Sequence, residues 1–181
     1  MIVVFTGNGK GKTTAALGAA VRAVGRGQKV LMVQFIKGPW QSGEDFSTEL
    51  LSVANVAKSK IGKGGILFKK MGLGFVGILG DQLPFEEHVK AAQQALTYIR
   101  EQLPQYTMII MDEVNVAVSL KLITPHDVLR VLKDLPEQKI VVLTGRGAPD
   151  EFIAAADLVT EMKEVKHPFA DGKLGTLTVE F

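Results

Sequence analysis

The sequence predicts one α/β domain with a mostly parallel sheet and helices on both faces, and three observations carry that expectation. Short β-branched or apolar runs recur between helical patterns. Those runs are continuously apolar rather than alternating, as strands buried on both faces are. The first run also passes straight into a glycine-rich turn that opens a helix, which is the setting a phosphate-binding loop requires.

Taken in order, the strands are Ile2 to Phe5, Val30 to Ile36, Met108 to Met111, Ile140 to Leu143 and Leu158 to Thr160. A helix starts at Thr13, with Leu17, Ala20, Val21 and Val24 on one face and Gly25 and Gly27 to stop it. After Pro84, the residues Phe85, Val89, Ala92, Leu96, Ile99 and Leu103 mark the apolar face of a long helix that ends before Pro104. A third helix starts at Thr124 and Pro125, where threonine caps, proline fits the first helical position and Asp127 completes a box-like start. Between strands, residues 62–80 hold seven glycines interleaved with Ile66, Leu67, Phe68, Met71, Leu73, Phe75, Val76, Ile78 and Leu79. This reads as a flexible apolar loop, long enough to be functional and too apolar for simple disorder.

A chain of 181 residues, 46% of them apolar, supports a single domain spanning 1–181 with its own core. The net charge of +2, with both signs scattered, gives no nucleic-acid footprint. The absence of cysteine removes disulfides, thiolate metal sites and a cysteine nucleophile. No apolar stretch approaches the roughly 18 residues that span a bilayer, and no secretory leader pattern precedes Ile2. A cytoplasmic protein without membrane association is the expectation.

The strongest chemical signal is Thr6-Gly7-Asn8-Gly9-Lys10-Gly11-Lys12-Thr13-Thr14. Glycines let successive backbone N–H groups turn toward one anion, the helix N-terminus adds a favourable dipole, and Lys12 supplies a point charge. Thr13 would offer its hydroxyl to Mg²⁺. The usual loop has four residues between its first glycine and the Gly-Lys pair, whereas Gly7 and Gly11 are separated by three. Ordinary γ-phosphoryl transfer therefore does not follow from the loop alone.

Two further strand ends point the same way. Met108 to Met111 delivers Asp112 and Glu113, and open α/β sheets place ligands at the C-terminal ends of their strands. Mg²⁺ uses one or two carboxylates together with phosphate oxygens, so Glu113 or Asp112 opposite Thr13 would complete the set. The turn Thr144-Gly145-Arg146-Gly147 brings an arginine to the same edge, where it would meet phosphate bidentately. Arg22, on the first helix, either folds back toward nucleotide or is a solvated helix charge. His88 and His126 read as surface or capping residues, while His167, in Lys166-His167-Pro168-Phe169, has no such simple reading.

With these residues in place, the chain resembles the ATP:corrinoid adenosyltransferases of cobalamin synthesis along almost its whole length. The likeness rests on Phe5 through Thr14, Arg22 to Gly25, Gln34 to Gly38, Gly43-Glu44, Met71-Gly72 through Gly74-Phe75, Asp112-Glu113, Thr144 to Gly147, Ala156-Asp157 and Lys166 to Phe169. The resemblance implies a RecA-like parallel sheet with an antiparallel edge strand, and ATP held in reversed polarity with its 5′ carbon facing the acceptor. It implies Gly9 to Thr14 on the triphosphate, Thr13 and Glu113 on Mg²⁺, Arg22 on nucleotide and Phe75 beside the corrinoid, with residues 62–80 on the corrinoid side. It also implies a homodimer and a reductant such as a flavoprotein.

Three departures accompany the likeness. The family's N-terminal segment, which helps cover the active site, has no counterpart before the first strand. Gly77 stands where the family often has tryptophan, the sole tryptophan here being Trp40, and the tail Leu174 to Val179 differs from the family ending. The implied reaction also explains why no side-chain nucleophile stands out, since Co(I) is itself the nucleophile. The competing expectation is an ATPase in which Glu113 activates water for γ-phosphate hydrolysis beside a metal-binding Asp112. A GTP switch is disfavoured because no Asn-Lys-x-Asp motif occurs.

Overall fold

The computed structural model describes residues 1–38, 43, 64–78, 80–133 and 135–167. Gly62, Leu79, Trp40, Glu44, Pro168-Phe169 and the tail Leu174 to Val179, all singled out from sequence, lie outside the described residues. The described elements are β1 (Ile2–Thr6), α1 (Lys12–Gly25), β2 (Lys29–Gln34), β3 (Gly65–Lys70), α2 (Phe85–Gln102), β4 (Met108–Asp112), α3 (Val114–Ser119), α4 (Pro125–Leu132), β5 (Ile140–Thr144), α5 (Asp150–Ala155) and β6 (Leu158–Glu161).

The six strands form one sheet in the order β3-β2-β4-β5-β1-β6, and every pairing is parallel. All strand C-termini therefore share one edge. One strand, β5, is inserted between loop-bearing β1 and carboxylate-bearing β4. The implied antiparallel edge strand is not among the described residues.

Two cores flank the sheet. One face, with Val4, Leu31, Val33, Ile109, Met111 and Leu143, packs beneath α2 to α5. The other, with Val3, Val30, Met32, Ile110 and Val142, packs beneath α1. Helix α4 starts at the expected box: Asp127 N–H donates to the Thr124 hydroxyl (3.1 Å), and Thr124 N–H donates to the Asp127 carboxylate (3.1 Å).

The structure corrects three sequence expectations. The glycine-dense segment is not wholly a loop, because Gly65–Lys70 is edge strand β3. Glycine density hid the run Ile66-Leu67-Phe68, which pairs residue for residue with Val30, Leu31 and Met32. The helix stripes match the expected ones in part. Ala20 and Val24 in α1 and Ala92, Leu96 and Ile99 in α2 are buried as expected, with Leu17, Val89 and Leu103 packed against the cores; Val21 (48%) and Phe85 (46%) are instead exposed, and Ala16, Ala23, His88, Ala91 and Ala95 are buried in addition. Alanines let a helix approach closely, so ranking positions by side-chain size overlooked them. Third, His88 is buried rather than a surface residue.

Candidate active site

The phosphate loop joins β1 to α1 and is held from behind by the chain leaving β6. Met162 N–H donates to Thr6 O (2.8 Å), and Gly9 N–H donates to Met162 O (2.7 Å). Gly7 has φ +94°, and a Cβ there would stand 2.4 Å from Met162 O; a Cβ on Gly9 would stand 2.7 Å from the same atom. Both positions thus need glycine for close backbone approach. The Gly9 N–H is committed to Met162, and the first turn of α1, whose N–H groups have no intrahelical partner, offers amides to an anion.

Lys12, the first residue of α1, curls over the loop and donates from Nζ to Gly7 O (2.9 Å) and Gly9 O (2.6 Å). Burial lowers the pKa of this ammonium; the Glu113 charge opposes the shift, while Arg146 and Lys10 add to it. A polyanion arriving at the loop would oppose that shift through its charge and give Lys12 a better acceptor than two carbonyls.

Asp112, the last residue of β4, is fully buried and organises the centre of the site. Its Oδ1 accepts from the hydroxyls of Thr13 (2.8 Å) and Thr144 (2.7 Å), and its Oδ2 accepts from Gln34 Nε2 (3.1 Å). One carboxylate thereby ties the ends of β2, β4 and β5 to the first turn of α1. Loop and carboxylate strand are two strand spacings apart, roughly 10 Å, and the Thr13 side chain bridges them over β5.

Glu113 follows with φ +60°, an uncommon conformation for a residue with a side chain, and its N–H donates to the Thr144 hydroxyl (3.0 Å). A Cβ on Gly145 would stand 3.1 Å from Glu113 Oε2, so the Thr144 to Gly147 turn abuts this carboxylate. Burial pushes the Glu113 pKa up and the Asp112 charge pushes it the same way, while Lys12, Lys37 and Arg146 pull it down. Asp112 already accepts three hydrogen bonds and serves as an organiser. Glu113 makes no hydrogen bond through its carboxylate among the described residues. The Thr13 hydroxyl and the Glu113 carboxylate are oxygen donors of the kind that suits Mg²⁺ when phosphate fills further positions.

The expected residues are mostly brought together: Gly7 to Thr14, Asp112, Glu113 and Arg146 share the strand-end edge. Phe75 reaches that edge from the far side. After β3, Met71 and Gly72 N–H groups both donate to Gln34 O and Gly74 N–H donates to Ile36 O, folding the chain across the end of β2. Arg22 is placed elsewhere. It lies ten residues down α1, roughly 15 Å along the axis, lining a groove with Phe5, Arg26, Gln28, Met108 and Ile140. His126 is exposed beside Arg130, as expected.

Sequence reasoning gave no site role to Gln34, Lys37, Thr144, Met162 or His88. The positional rule for strand C-termini would have found Gln34, Lys37 and Thr144, each at or just beyond a strand end. Nothing local marks Met162, whose part is played by its backbone.

Loop, inserted strand and buried carboxylate together define a P-loop nucleotide-binding domain. The family described as ATP:corrinoid adenosyltransferase BtuR/CobO/CobP matches residues 1–181. The chain is 34% identical over 183 residues to the corrinoid adenosyltransferase of Escherichia coli K12, covering all of this chain and 85% of the relative. It is 33% identical to corrinoid adenosyltransferase CobA of Salmonella typhimurium, with the same coverage. To the corrinoid adenosyltransferase of a Sinorhizobium species it is 37% identical over 185 residues, covering all of this chain and 80% of the relative. The chain belongs to the ATP:corrinoid adenosyltransferase family.

Proposed function

We propose that this protein transfers the 5′-deoxyadenosyl group of ATP to the Co(I) centre of a reduced corrinoid and releases triphosphate. The observation that carries the reading is the pairing, on one sheet edge, of a shortened phosphate loop with an exposed apolar segment. Four strand spacings separate β1 from β3, on the order of 19 Å.

In this reaction Co(I) donates an electron pair to the 5′ carbon, a Co–C bond forms, and the C–O bond to triphosphate breaks with its electrons leaving on oxygen. No side chain needs to act as nucleophile or general base. The protein's work is positional and electrostatic. The first-turn N–H groups of α1, with Lys12, Lys10 and Arg146, would hold the triphosphate and take up the charge it gains on leaving. Thr13 and Glu113 would hold Mg²⁺, which supplies further charge neutralisation there, while Asp112 fixes the Thr13 hydroxyl. Arg22 would contact nucleotide only from the far end of α1, and the loop residues do not depend on it. Residues 71–80, with Phe75, would cover the corrinoid and keep water from cobalt.

A homodimer, a cytoplasmic location and an electron donor such as a flavoprotein complete the proposal on family likeness; sedimentation at twice the 19.5 kDa chain mass checks the first. No helix among the described residues is long and apolar enough to cross a membrane.

The test is an anaerobic assay with ATP, Mg²⁺ and chemically reduced cobalamin. The expected outcome is a light-sensitive Co–C product with one triphosphate per corrinoid. ADP and phosphate released without corrinoid would replace this reading with a hydrolase.

A further inference from the structure

The segment between β3 and α2, with the first turn of α2, turns several apolar side chains outward: Leu73, Phe75, Ile78, Leu83 and Phe85 are exposed, Phe75 at 45% and Ile78 at 59%, while Met71 and Val76 pack against the main core. Its polar pair faces in. The side chains of His88 and Asp81 are only 2% and 8% exposed, with His88 Nε2 donating to Asp81 Oδ2 at 3.1 Å. Exposed apolar clusters of this kind mark binding surfaces, and core packing through Met71 and Val76 alone does not fix the turn that follows Phe75.

Asp81 supplies that fixation. Its Oδ2 also accepts from Gly77 N–H (2.8 Å), and its Oδ1 accepts from Leu83 N–H (3.1 Å). Gly77 has φ +68°, a conformation that favours glycine, and a Cβ there would meet nothing within 4 Å, so the turn rather than crowding sets this position. His88 in turn sits in the first turn of α2, whose inner face is locked into the main core through Ala92, Ala95, Leu96 and Ile99. A chain of hydrogen bonds thus runs from a rigid helix through one carboxylate to the turn that follows Phe75. The N–H groups of Gly77 and then Leu83 hold the Asp81 carboxyl below its ordinary range, with His88 adding to them.

We infer that Asp81 and His88 are positioning residues for the corrinoid: they hold the Phe75 to Ile78 turn in the shape that the corrinoid face meets, without touching ATP. The inference rests on the adenosyltransferase reading and adds to it two residues far in kind from the phosphate site. It also gives Gly77 its reason, as the donor and bend that the carboxylate grips.

The experiment measures KM for cob(I)alamin and for ATP, separately, in Asp81→Ala, His88→Ala and His88→Gln, with amide exchange followed at Gly77 and Leu83. Loss of the pin is expected to raise the cob(I)alamin KM about tenfold in both alanine variants, equivalent to roughly 1.4 kcal/mol, with the ATP KM unchanged. His88→Gln, which keeps a donor, is expected to recover most of the loss. Gly77 exchange is expected to be slow in the wild type and fast in Asp81→Ala. An unchanged cob(I)alamin KM in Asp81→Ala, or an ATP KM that rises in step with it, overturns the positioning role. Fast Gly77 exchange already in the wild type overturns the pin itself. A wild-type protein that adenosylates no reduced corrinoid, with Gly77 still protected, removes the adenosyltransferase reading and the role with it while leaving the hydrogen bonds standing.

Discussion

The two ends of the active edge are built on opposite plans. Around the phosphate loop, polar groups are buried and linked: Asp112 alone gathers Thr13, Thr144 and Gln34, and Lys12 is folded onto loop carbonyls. Around Phe75, apolar groups are exposed above one buried hydrogen-bonded pair, His88 and Asp81. The first plan suits a highly charged ligand, whose hydration the protein must replace with fixed donors. The second suits a large flat ligand that brings its own apolar surface. The difference teaches that a shared edge can serve two unlike substrates when each end presents its own kind of surface over a buried carboxylate, Asp112 at one end and Asp81 at the other.

The largest effect that sharpens this comparison is expected at Lys12. Lys12→Ala removes the ammonium that is folded onto the loop carbonyls, and adenosylation kcat/KM should fall by about 10²- to 10³-fold; a steady-state assay with reduced cobalamin reads it. Asp112→Asn comes next. It turns an acceptor with three donors into a group that must confront one of them, so about 2 kcal/mol of stability should be lost, seen as a lower calorimetric Tm together with weaker turnover.

The smallest effect has the opposite sign. The Glu113 pKa is raised by burial and by Asp112, so the native state holds this proton more tightly than the unfolded chain. That stabilisation is complete below the ordinary 4.5 and is lost as pH rises through the raised value. Glu113→Gln should therefore melt about 2 °C higher than the wild type at neutral pH without ligand, and the gap should close as the pH is lowered toward 4.5. Activity should fall in the same variant. A wild type that is the more stable of the two at neutral pH would mean that Glu113 is not desolvated.

Much of the phosphate end was legible because its residue types are tied to their spacing: glycines where backbone must approach, Lys12 and Thr13 at a helix start, carboxylates after an apolar run. Even so, the division of labour between Asp112 and Glu113 was not readable, since it depends on which carboxylate Thr144 and Gln34 reach. The corrinoid end was legible only as composition. Glycine density concealed β3, and His88 looked like a surface residue because its partner Asp81 lies in a turn outside the helical periodicity. The stripes of α1 and α2 were legible at Ala20, Val24, Ala92, Leu96 and Ile99, but not at Val21 and Phe85, where close helix-to-sheet packing favours the neighbouring alanines.

The central claim is that two separable halves of one edge hold two substrates, and Phe75→Ala tests it most directly. Calorimetric titration with MgATP and anaerobic turnover with cob(I)alamin would be measured on the same preparation. The account predicts ATP affinity within about twofold of the wild type and a cob(I)alamin KM raised about tenfold, a difference of roughly 1.4 kcal/mol confined to one substrate. Equal loss of both would contradict it.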